Sequence, residues 1–344
     1  MNEAYIAVDL GAESGRVIAI QLTDARLTLH EIHRFANQPV SLPSGLHWDI
    51  SHLWQEIVAG LTKTASWAKT AQVQLISVGV DAWGVDWALL TRSGELVGLP
   101  HAYRDDRYPA ACAEALKIVG ADEIYATTGI QLMPINTIFS LFAQKLSGPE
   151  LFASAAQLLF IPDLFHYWLS GNIAIEATIA STSQLIDVHS GAWAQGLLTR
   201  LGLPPEIFSP TCLPGTVLGT IRPSLVRATG LPVNLQVVLP PSHDTASAVA
   251  AVPVTGSKSP LSNAVKFSRV MATVHSVSRL LLSTVLGVAL PSMTTTPSVP
   301  QSNFRVAPRP LSAPTFCVSV LVHSCRFIFF LPLICLGSLR LAQS

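Results

Sequence analysis

The chain has 344 residues, of which 49% are hydrophobic and 12% are charged, and its 21 Lys and Arg residues balance 21 Asp and Glu residues. This length is sufficient for a sizeable core and for two domains. The balance conceals a split, because residues 254–344 hold eight basic residues and no acidic one, which leaves residues 1–253 with a net charge of −8. An acidic front and a tail with scattered basic residues disfavour a nucleic-acid-binding protein.

The cysteines and the first residues indicate the compartment. Only Cys112 and Cys212 lie in residues 1–253, and the chain has no CxxC pair, which disfavours a zinc site or a thioredoxin-type motif. This sparse use of cysteine favours a reducing compartment. The first residues lack the basic region and apolar run of a signal peptide. We therefore predict a cytoplasmic protein.

The front of the chain begins with two β-rich runs, residues 5–10 and 16–22, on either side of a polar turn at 11–15. Two glycines in that turn predict a β-hairpin. Alternation over residues 27–34 predicts a third strand.

A helix is predicted next, since Leu53, Ile57 and Leu61 recur at helical spacing and either Asp49 or Ser51 can cap its start. The remaining predicted elements are a buried strand at 74–80, helices near 107–118, 122–128, 137–147 and 162–169, a strand at 235–239 and a small-residue helix at 245–251. Strands and helices alternate, which predicts an α/β domain.

Residues 254–344 differ in composition from the front. They are rich in Ser, Thr, Pro, Leu and Val, and six prolines between 291 and 314 prevent a continuous helix there. The apolar run 327–339 has 13 residues, fewer than the roughly 20 that a membrane-spanning helix needs. We expect a poorly structured tail, and a membrane anchor is the less favoured interpretation.

The turn at 11–16 is the first motif that could carry chemistry. Its glycines can let backbone N–H groups approach an anion, Ser14 can donate a hydrogen bond, and Arg16 can add positive charge. Asp9, at the end of the first strand, could hold Mg²⁺ directly or through water. The segment is neither a Walker loop nor a GxGxxG loop, and an ordinary hairpin is the alternative interpretation.

Residues 81–87 form the second motif, with Asp81, Asp86 and two tryptophans at the end of a buried strand. Indoles and carboxylates suit a sugar, which presents both C–H faces and hydroxyls. Gly84 would allow close approach of the backbone to a ligand. The alternative is a hairpin with Trp83 and Trp87 in the core.

The third motif is Asp244, which lies between a predicted strand and a predicted helix. An Asp at this place can be an N-cap, and it can also be a general base whose ionised form the helix N-terminus stabilises. A charge cluster at 104–107 could orient sugar hydroxyls, but a salt-bridged loop is the favoured interpretation.

Together these motifs resemble the FGGY family of carbohydrate kinases, and within it the members that phosphorylate L-rhamnulose. The resemblance covers residues 1–253. The segments that carry it are AVDLGAESGR at 7–16, SVGVDAWGVDWALL at 77–90, VGLPHAYRDDR at 97–107, TGIQLMPINT at 128–137, IPDLFHYWLSG at 161–171, EATIASTSQL at 176–185 and PSHDTASAVAAVP at 241–253.

The resemblance implies an actin-like, ribonuclease-H-like kinase domain that transfers phosphate from ATP, with Mg²⁺, to the 1-hydroxyl of L-rhamnulose. It implies that the ATP phosphates contact Ala12, Glu13, Ser14, Gly15 and Arg16, and that the sugar contacts Gly84, His243, Asp244 and Thr245. It further implies that Asp244 accepts the proton of the hydroxyl and that Asp9 lies at the metal.

The resemblance ends at residue 253, so we predict a kinase domain over 1–253 and a tail unrelated to the family over 254–344. The tail's composition suggests translation in a shifted frame, which resequencing the gene around codon 254 would test. Members of the family continue with a second domain that closes over the sugar, and such closure aligns the reacting groups. We therefore expect little kinase activity from this chain, and the alternative is an inactive remnant that binds a ketose weakly.

Overall fold

The computed structural model describes residues 2–23 and 26–251. The predicted tail at 254–344, including the apolar run 327–339, lies outside the described residues, and what the sequence predicts for it remains a prediction. Within the described part of the chain, no helix is both long enough and apolar enough to cross a bilayer.

Strands and helices alternate through these residues. The strands are β1 (Glu3–Leu10), β2 (Ser14–Thr23), β3 (Arg26–Ala36), β4 (Pro39–Leu42), β5 (Gly45–Trp48), β6 (Gln74–Ala82), β7 (Trp87–Leu90), β8 (Gln157–Phe160), β9 (Ile175–Glu176), β10 (Thr211–Cys212), β11 (Val217–Thr220) and β12 (Gln236–Val238). The helices are α1 (Ile50–Ala71), α2 (Tyr108–Ile118), α3 (Ala121–Thr128), α4 (Thr137–Ser147), α5 (Glu150–Ser154), α6 (Ile161–Ser170), α7 (Ala177–Ser181), α8 (Gln195–Leu201), α9 (Pro223–Thr229) and α10 (Asp244–Ala250), with a 3-10 turn at Pro205–Ile207. The predicted α/β class is confirmed.

The largest sheet has six strands in the order β11-β12-β6-β1-β2-β3. Strands β1, β2 and β3 form an antiparallel meander, so the predicted hairpin is present, whereas β6 and β12 run parallel to β1 and to each other. The carboxyl ends of the three parallel strands therefore lie at one edge of the sheet. In open α/β sheets this is the edge where ligands bind.

The two faces of β1 differ. Its even-numbered residues are buried, and Val8 lies opposite Val17 of β2 in the ladder. Helix α1 packs on this face. The packing is so close that a Cβ on Gly60 of α1 would lie 2.4 Å from Val17. Since side chains alternate along a strand, Asp9 points to the other face, where it is half-buried.

One of the two predicted N-caps of helix α1, Asp49, is confirmed. The Asp49 carboxylate accepts a hydrogen bond of 2.9 Å from the backbone N–H of His52, and Ser51 lies inside the helix. The predicted apolar stripe of Leu53, Ile57 and Leu61 is fully buried.

Several short strands were not predicted. Strand β7 starts only five residues after β6, yet it pairs with β8, about 70 residues later, and not with β6. The alternative hairpin at 81–87 is therefore absent. Both β7 and β8 are buried at every residue, so neither shows the alternation by which a half-buried strand is recognised.

Candidate active site

Three sequence motifs meet at the carboxyl edge of the large sheet. The backbone N–H of Trp83 donates to the carbonyl of Leu10 at 3.1 Å, which joins the segment after β6 to the turn after β1. The backbone N–H of Ala82 donates to the carbonyl of Ser242 at 2.9 Å, and Ala82 also forms a parallel bridge with His243. The turn at 11–16, the motif at 81–87 and Asp244 therefore share one edge.

Two carboxylates lie side by side at this edge. Asp9 and Asp81 are register partners on the parallel strands β1 and β6, and both side chains lie on the face opposite α1. Burial, together with the smaller effect of the negative charges of Asp9 and Asp244, raises the pKa of Asp81 to about 7 against an opposing hydrogen bond with Ser247. Asp81 therefore interacts electrostatically both with Asp9, the predicted metal ligand, and with Asp244, the predicted proton acceptor.

The hairpin turn has the features of an anion-binding loop. The backbone N–H of Gly11 donates to the carbonyl of Ser14 at 2.9 Å, and Asn37 fixes the turn through its side-chain amide, which donates to the carbonyl of Gly11 at 2.8 Å. No described residue accepts a hydrogen bond from the backbone N–H of Ala12 or Glu13. The ordinary hairpin and the phosphate loop are thus compatible interpretations of one structure.

Gly15 has a packing reason to be glycine. It lies opposite Phe35 in the β2–β3 ladder, and a Cβ on Gly15 would lie 2.3 Å from the Phe35 ring. Packing against the neighbouring strand therefore requires glycine at position 15, whether or not its backbone also approaches an anion.

Arg16 and Asp9 form an ion pair across the β1–β2 ladder. The two side chains are 18% and 27% exposed, so neither is fully buried. A bound phosphate would compete with Asp9 for the guanidinium, which couples the anion loop to the carboxylate pair.

The carboxylates fit a magnesium ion. Mg²⁺ prefers oxygen ligands and is commonly held by one or two carboxylates together with waters and substrate phosphates. Asp9 is the predicted ligand, and Asp81 supplies a second carboxylate beside it. Among the residues that the structure describes, no group of three or more His, Cys, Asp and Glu side chains forms a closed cage for a metal.

Asp244 is the first residue of α10 and not its N-cap, which is His243. The N-cap interpretation of Asp244 is therefore wrong. Its Oδ1 accepts hydrogen bonds from the backbone N–H of Thr245 at 2.5 Å and from the Thr245 hydroxyl at 3.1 Å, and it lies 3.3 Å from Nε2 of His243. These contacts all fall on Oδ1, and the side chain is 40% exposed.

His243 and Thr245, both predicted sugar contacts, flank Asp244. Burial lowers the pKa of His243 below its usual range, although the charge of Asp244 opposes this, and the lowered pKa favours the neutral imidazole. Thr245 is exposed.

Gly84, the other predicted sugar contact, lies in the turn between β6 and β7. A Cβ there would lie 3.1 Å from Cγ2 of Thr182, so the backbone of the turn packs directly on that side chain. The next residue, Val85, has φ +69°, which is unusual for a β-branched residue.

The rest of the tryptophan motif belongs to the core. Trp83 and Asp86 are 4% and 2% exposed. Asp86 accepts hydrogen bonds from the indole N–H groups of Trp48 at 2.6 Å and Trp83 at 2.9 Å, and from the backbone N–H of Tyr103 at 3.1 Å. Burial raises its pKa to about 7 against these hydrogen bonds. Of the two carboxylates in the motif, only Asp81 lies at the site.

The charge cluster at 104–107 is a salt-bridged loop, as favoured. Asp105 is buried, pairs with Arg107 at 2.8 Å and accepts the backbone N–H of Leu46 at 2.9 Å.

Several residues that shape the site are not predicted from the sequence. Asp81 falls in the predicted sugar motif, and Asn37, Glu176, Thr178 and Thr182 have no predicted role. The segment 176–185 is one of those that carry the family resemblance, and this was the only feature of the sequence that could have pointed to Glu176, Thr178 and Thr182. Its contacts with residues 84–85 and 242–243 span 65 or more residues of chain.

Residues 4–251 match the model of the FGGY family of carbohydrate kinases, N-terminal domain. Rhamnulokinase from Enterococcus faecalis is 40% identical over 256 residues, which cover 74% of this chain and 50% of that protein. Rhamnulokinase from Oceanobacillus iheyensis is 38% identical over 253 residues, which cover 74% of this chain and 53% of that protein. The chain spans about half the length of these curated relatives.

Solved structures show the same fold. Xylulose kinase from Rhodospirillum rubrum superposes with a TM-score of 0.65 at 22% identity, covering 72% of this chain and 52% of that one. Gluconate kinase from Lactobacillus acidophilus gives a TM-score of 0.64 at 16% identity, covering 71% and 48%. The described part of the chain therefore has the actin-like fold of sugar kinases, as the resemblance predicted.

Proposed function

The chain belongs to the FGGY family of carbohydrate kinases, and on this premise we propose that residues 1–253 form the sugar- and phosphate-binding domain of an ATP-dependent ketose kinase. We propose L-rhamnulose as the sugar and its 1-hydroxyl as the acceptor. The motifs at 7–16, 77–90 and 241–253 support this, and so do the relatives named as rhamnulokinases.

One observation carries the proposal. Asp244, the neighbouring carboxylates of Asp9 and Asp81, and the turn at 11–16 lie at one edge of the sheet, on segments joined by backbone hydrogen bonds. Phosphoryl transfer depends chiefly on positioning and on charge stabilisation, and it requires these groups together.

Each residue then has a task. Oδ2 of Asp244 accepts the proton of the sugar hydroxyl as the sugar oxygen bonds to the γ-phosphorus of ATP, while the bond from that phosphorus to the oxygen bridging the β-phosphate breaks and ADP leaves. The backbone of Ala12 and Glu13, the hydroxyl of Ser14 and the guanidinium of Arg16 hold the phosphates. When bound, Mg²⁺ would neutralise charge on the phosphates beside Asp9 and Asp81.

The backbone at Gly84 and the side chains of His243 and Thr245 contact the sugar. Ala82, two residues before Gly84, forms a parallel bridge with His243, so these segments are neighbours. A neutral His243 can donate or accept a hydrogen bond to a hydroxyl.

Two measurements on the full-length chain test the proposal. Calorimetry compares L-rhamnulose with D-xylulose and glycerol, and a coupled assay follows ADP release from Mg·ATP. We expect L-rhamnulose to bind most tightly. Binding without ADP release would support only the alternative of a ketose-binding remnant, and failure to bind any of the three sugars would contradict the proposal.

A further inference from the structure

The segment 176–182, which includes the short helix α7, touches both sides of the site described above. Its contacts run to the turn at 242–243 on one side and to the turn at 84–85 on the other. We infer that Glu176, Thr178 and Thr182 are positioning residues that hold these two turns in register. The inference rests on the proposed function for its meaning, but the contacts can be tested without it.

Glu176 makes more hydrogen bonds than capping requires. Its carboxylate is fully buried and caps α7 by accepting the backbone N–H groups of Thr178 at 2.8 Å and Ile179 at 3.1 Å. The same carboxylate accepts the backbone N–H of Ser242 at 3.0 Å. Shorter side chains are the preferred N-caps, so the longer Glu is explained by its reach to Ser242.

Thr178 continues the contact by one residue. Its hydroxyl donates to Oε2 of Glu176 at 2.5 Å and accepts the backbone N–H of His243 at 3.3 Å. Two consecutive N–H groups, those of Ser242 and His243, therefore end on the same buried pair. Asp244 follows directly, so the orientation of the proton acceptor depends on this anchor.

Thr182 holds the opposite turn. Its hydroxyl accepts the backbone N–H of Val85 at 2.9 Å and donates to the carbonyl of Ile179 at 2.8 Å, while its methyl group packs where a Cβ on Gly84 would lie. The carbonyl of Val85 accepts the hydroxyl of Thr137 at 2.6 Å. Both backbone groups of Val85 are thus held by threonines.

The backbone of Val85 shows why this hold matters. A β-branched residue at φ +69° is strained, and such a conformation persists only where its surroundings enforce it. Strained residues of this kind cluster at ligand sites. Loss of the Thr182 hydroxyl would therefore let the turn relax and move the backbone of Gly84 away from the sugar.

The test compares T182V, T182S and E176Q with T128V in the full-length chain. Thr128 is a matched control, because it is buried and its hydroxyl bonds only within its own region, to the carbonyl of Ile124 and the N–H of Ile130. Calorimetry measures the Kd for L-rhamnulose well below the melting temperature. Hydrogen exchange measures protection of the amides at 84–86 and 242–244.

We expect T182V and E176Q to weaken sugar binding about tenfold, the effect of one unpaired buried donor, while T182S and T128V stay within about threefold of wild type. Exchange should quicken at 84–86 in T182V and at 242–244 in E176Q. Equal weakening in T128V, or failure of T182S to rescue, would overturn the inference.

A failure of the proposed function is distinguishable from a failure of this inference. If wild-type chain binds none of the sugars, the proposed function is wrong, and the exchange measurement alone decides the positioning role. Unchanged protection at both turns would then overturn it.

Discussion

Asp9 and Asp81 face the same side of the sheet at matched positions on two parallel strands, so two carboxylates lie side by side at the centre of the site. Like charges this close cannot both remain ionised without a compensating cation. Arg16 compensates Asp9, and burial together with the charge of Asp9 leaves Asp81 with a pKa of about 7. The pair can therefore hold either a proton or a metal ion at neutral pH.

The Asp81→Asn substitution is expected to stabilise the protein at pH 8. Because the folded-state pKa is raised from 3.8 to about 7, the folded state holds a proton that the unfolded state releases, and the free energy of unfolding falls as pH rises from about 4 to 7. D81N should remove that fall and gain about 1–2 kcal/mol at pH 8. Urea unfolding at pH 5 and pH 8 measures this, and identical pH slopes for both proteins would contradict it.

Magnesium should reverse the same effect in the wild-type chain. A cation beside Asp9 and Asp81 favours the ionised form of Asp81, so millimolar Mg²⁺ is expected to raise the wild-type melting temperature at pH 8 and to raise that of D81N less. Differential scanning calorimetry with Mg²⁺ and with K⁺ at matched ionic strength separates binding from screening. Equal shifts in both proteins would exclude Asp81 from the metal site.

Arg16→Met is expected to weaken Mg·ATP binding by about tenfold or more, because a charge-assisted hydrogen bond to phosphate is lost. Binding of L-rhamnulose should change little, since Arg16 is not among the proposed sugar contacts, which are Gly84, His243, Asp244 and Thr245. Arg34→Met is the matched control, because Arg34 is the register partner of Arg16 and pairs with Glu31 at the exposed edge. Calorimetry with each ligand decides, and equal ATP affinities in R16M and R34M would disprove the role.

Asp244→Asn is expected to keep the shape of the site and lose the proton acceptor. Little ADP release is expected even from the wild-type chain, and whatever release it shows should fall by about 10²–10⁴-fold, the usual contribution of a general base. The Kd for L-rhamnulose should stay within a few-fold of the wild-type value, which calorimetry measures beside the coupled assay. Undiminished turnover in D244N would assign the proton transfer to another group.

His166→Gln is expected to reduce the loss of unfolding free energy that the wild-type chain shows as the pH falls below 7. The imidazole is fully buried, its Nε2 accepts the backbone N–H of Val80 at 2.9 Å, and burial lowers its pKa to about 3. The unfolded state therefore binds a proton that the folded state refuses, which costs the wild type about 2 kcal/mol between pH 7 and pH 5. Urea unfolding of H166Q should lack this loss, whereas the exposed His189→Gln should retain it.

Gly15→Ala is expected to destabilise the hairpin by about 1–3 kcal/mol, because the new methyl group would overlap the Phe35 ring. The double substitution with Phe35→Leu should recover part of the loss. Thermal unfolding of the single and double variants measures the coupling, and additive effects would show that the ring does not exclude a side chain at residue 15.

Local features of the sequence predicted much of the fold. The hairpin was predicted from two glycines between β-rich runs. The N-cap of α1 was predicted at Asp49, whose carboxylate accepts a hydrogen bond from the N–H of His52, three residues later. The all-buried strands β7 and β8 were missed because continuous burial removes the alternation that identifies a strand. Asp86 resembled a ligand because its neighbours in sequence did, whereas its partners Trp48 and Tyr103 come from other segments.

The sequence by itself determined the elements and the residue types available for chemistry, because strand alternation, helix spacing and capping act over a few residues. Only the tertiary structure decided which of these residues meet. The sheet order places Asp81 beside Asp9, and the buried carboxylate of Glu176 reaches Ser242, 66 residues along the chain. Such contacts form because the strand order brings distant segments together, and no local propensity encodes that order.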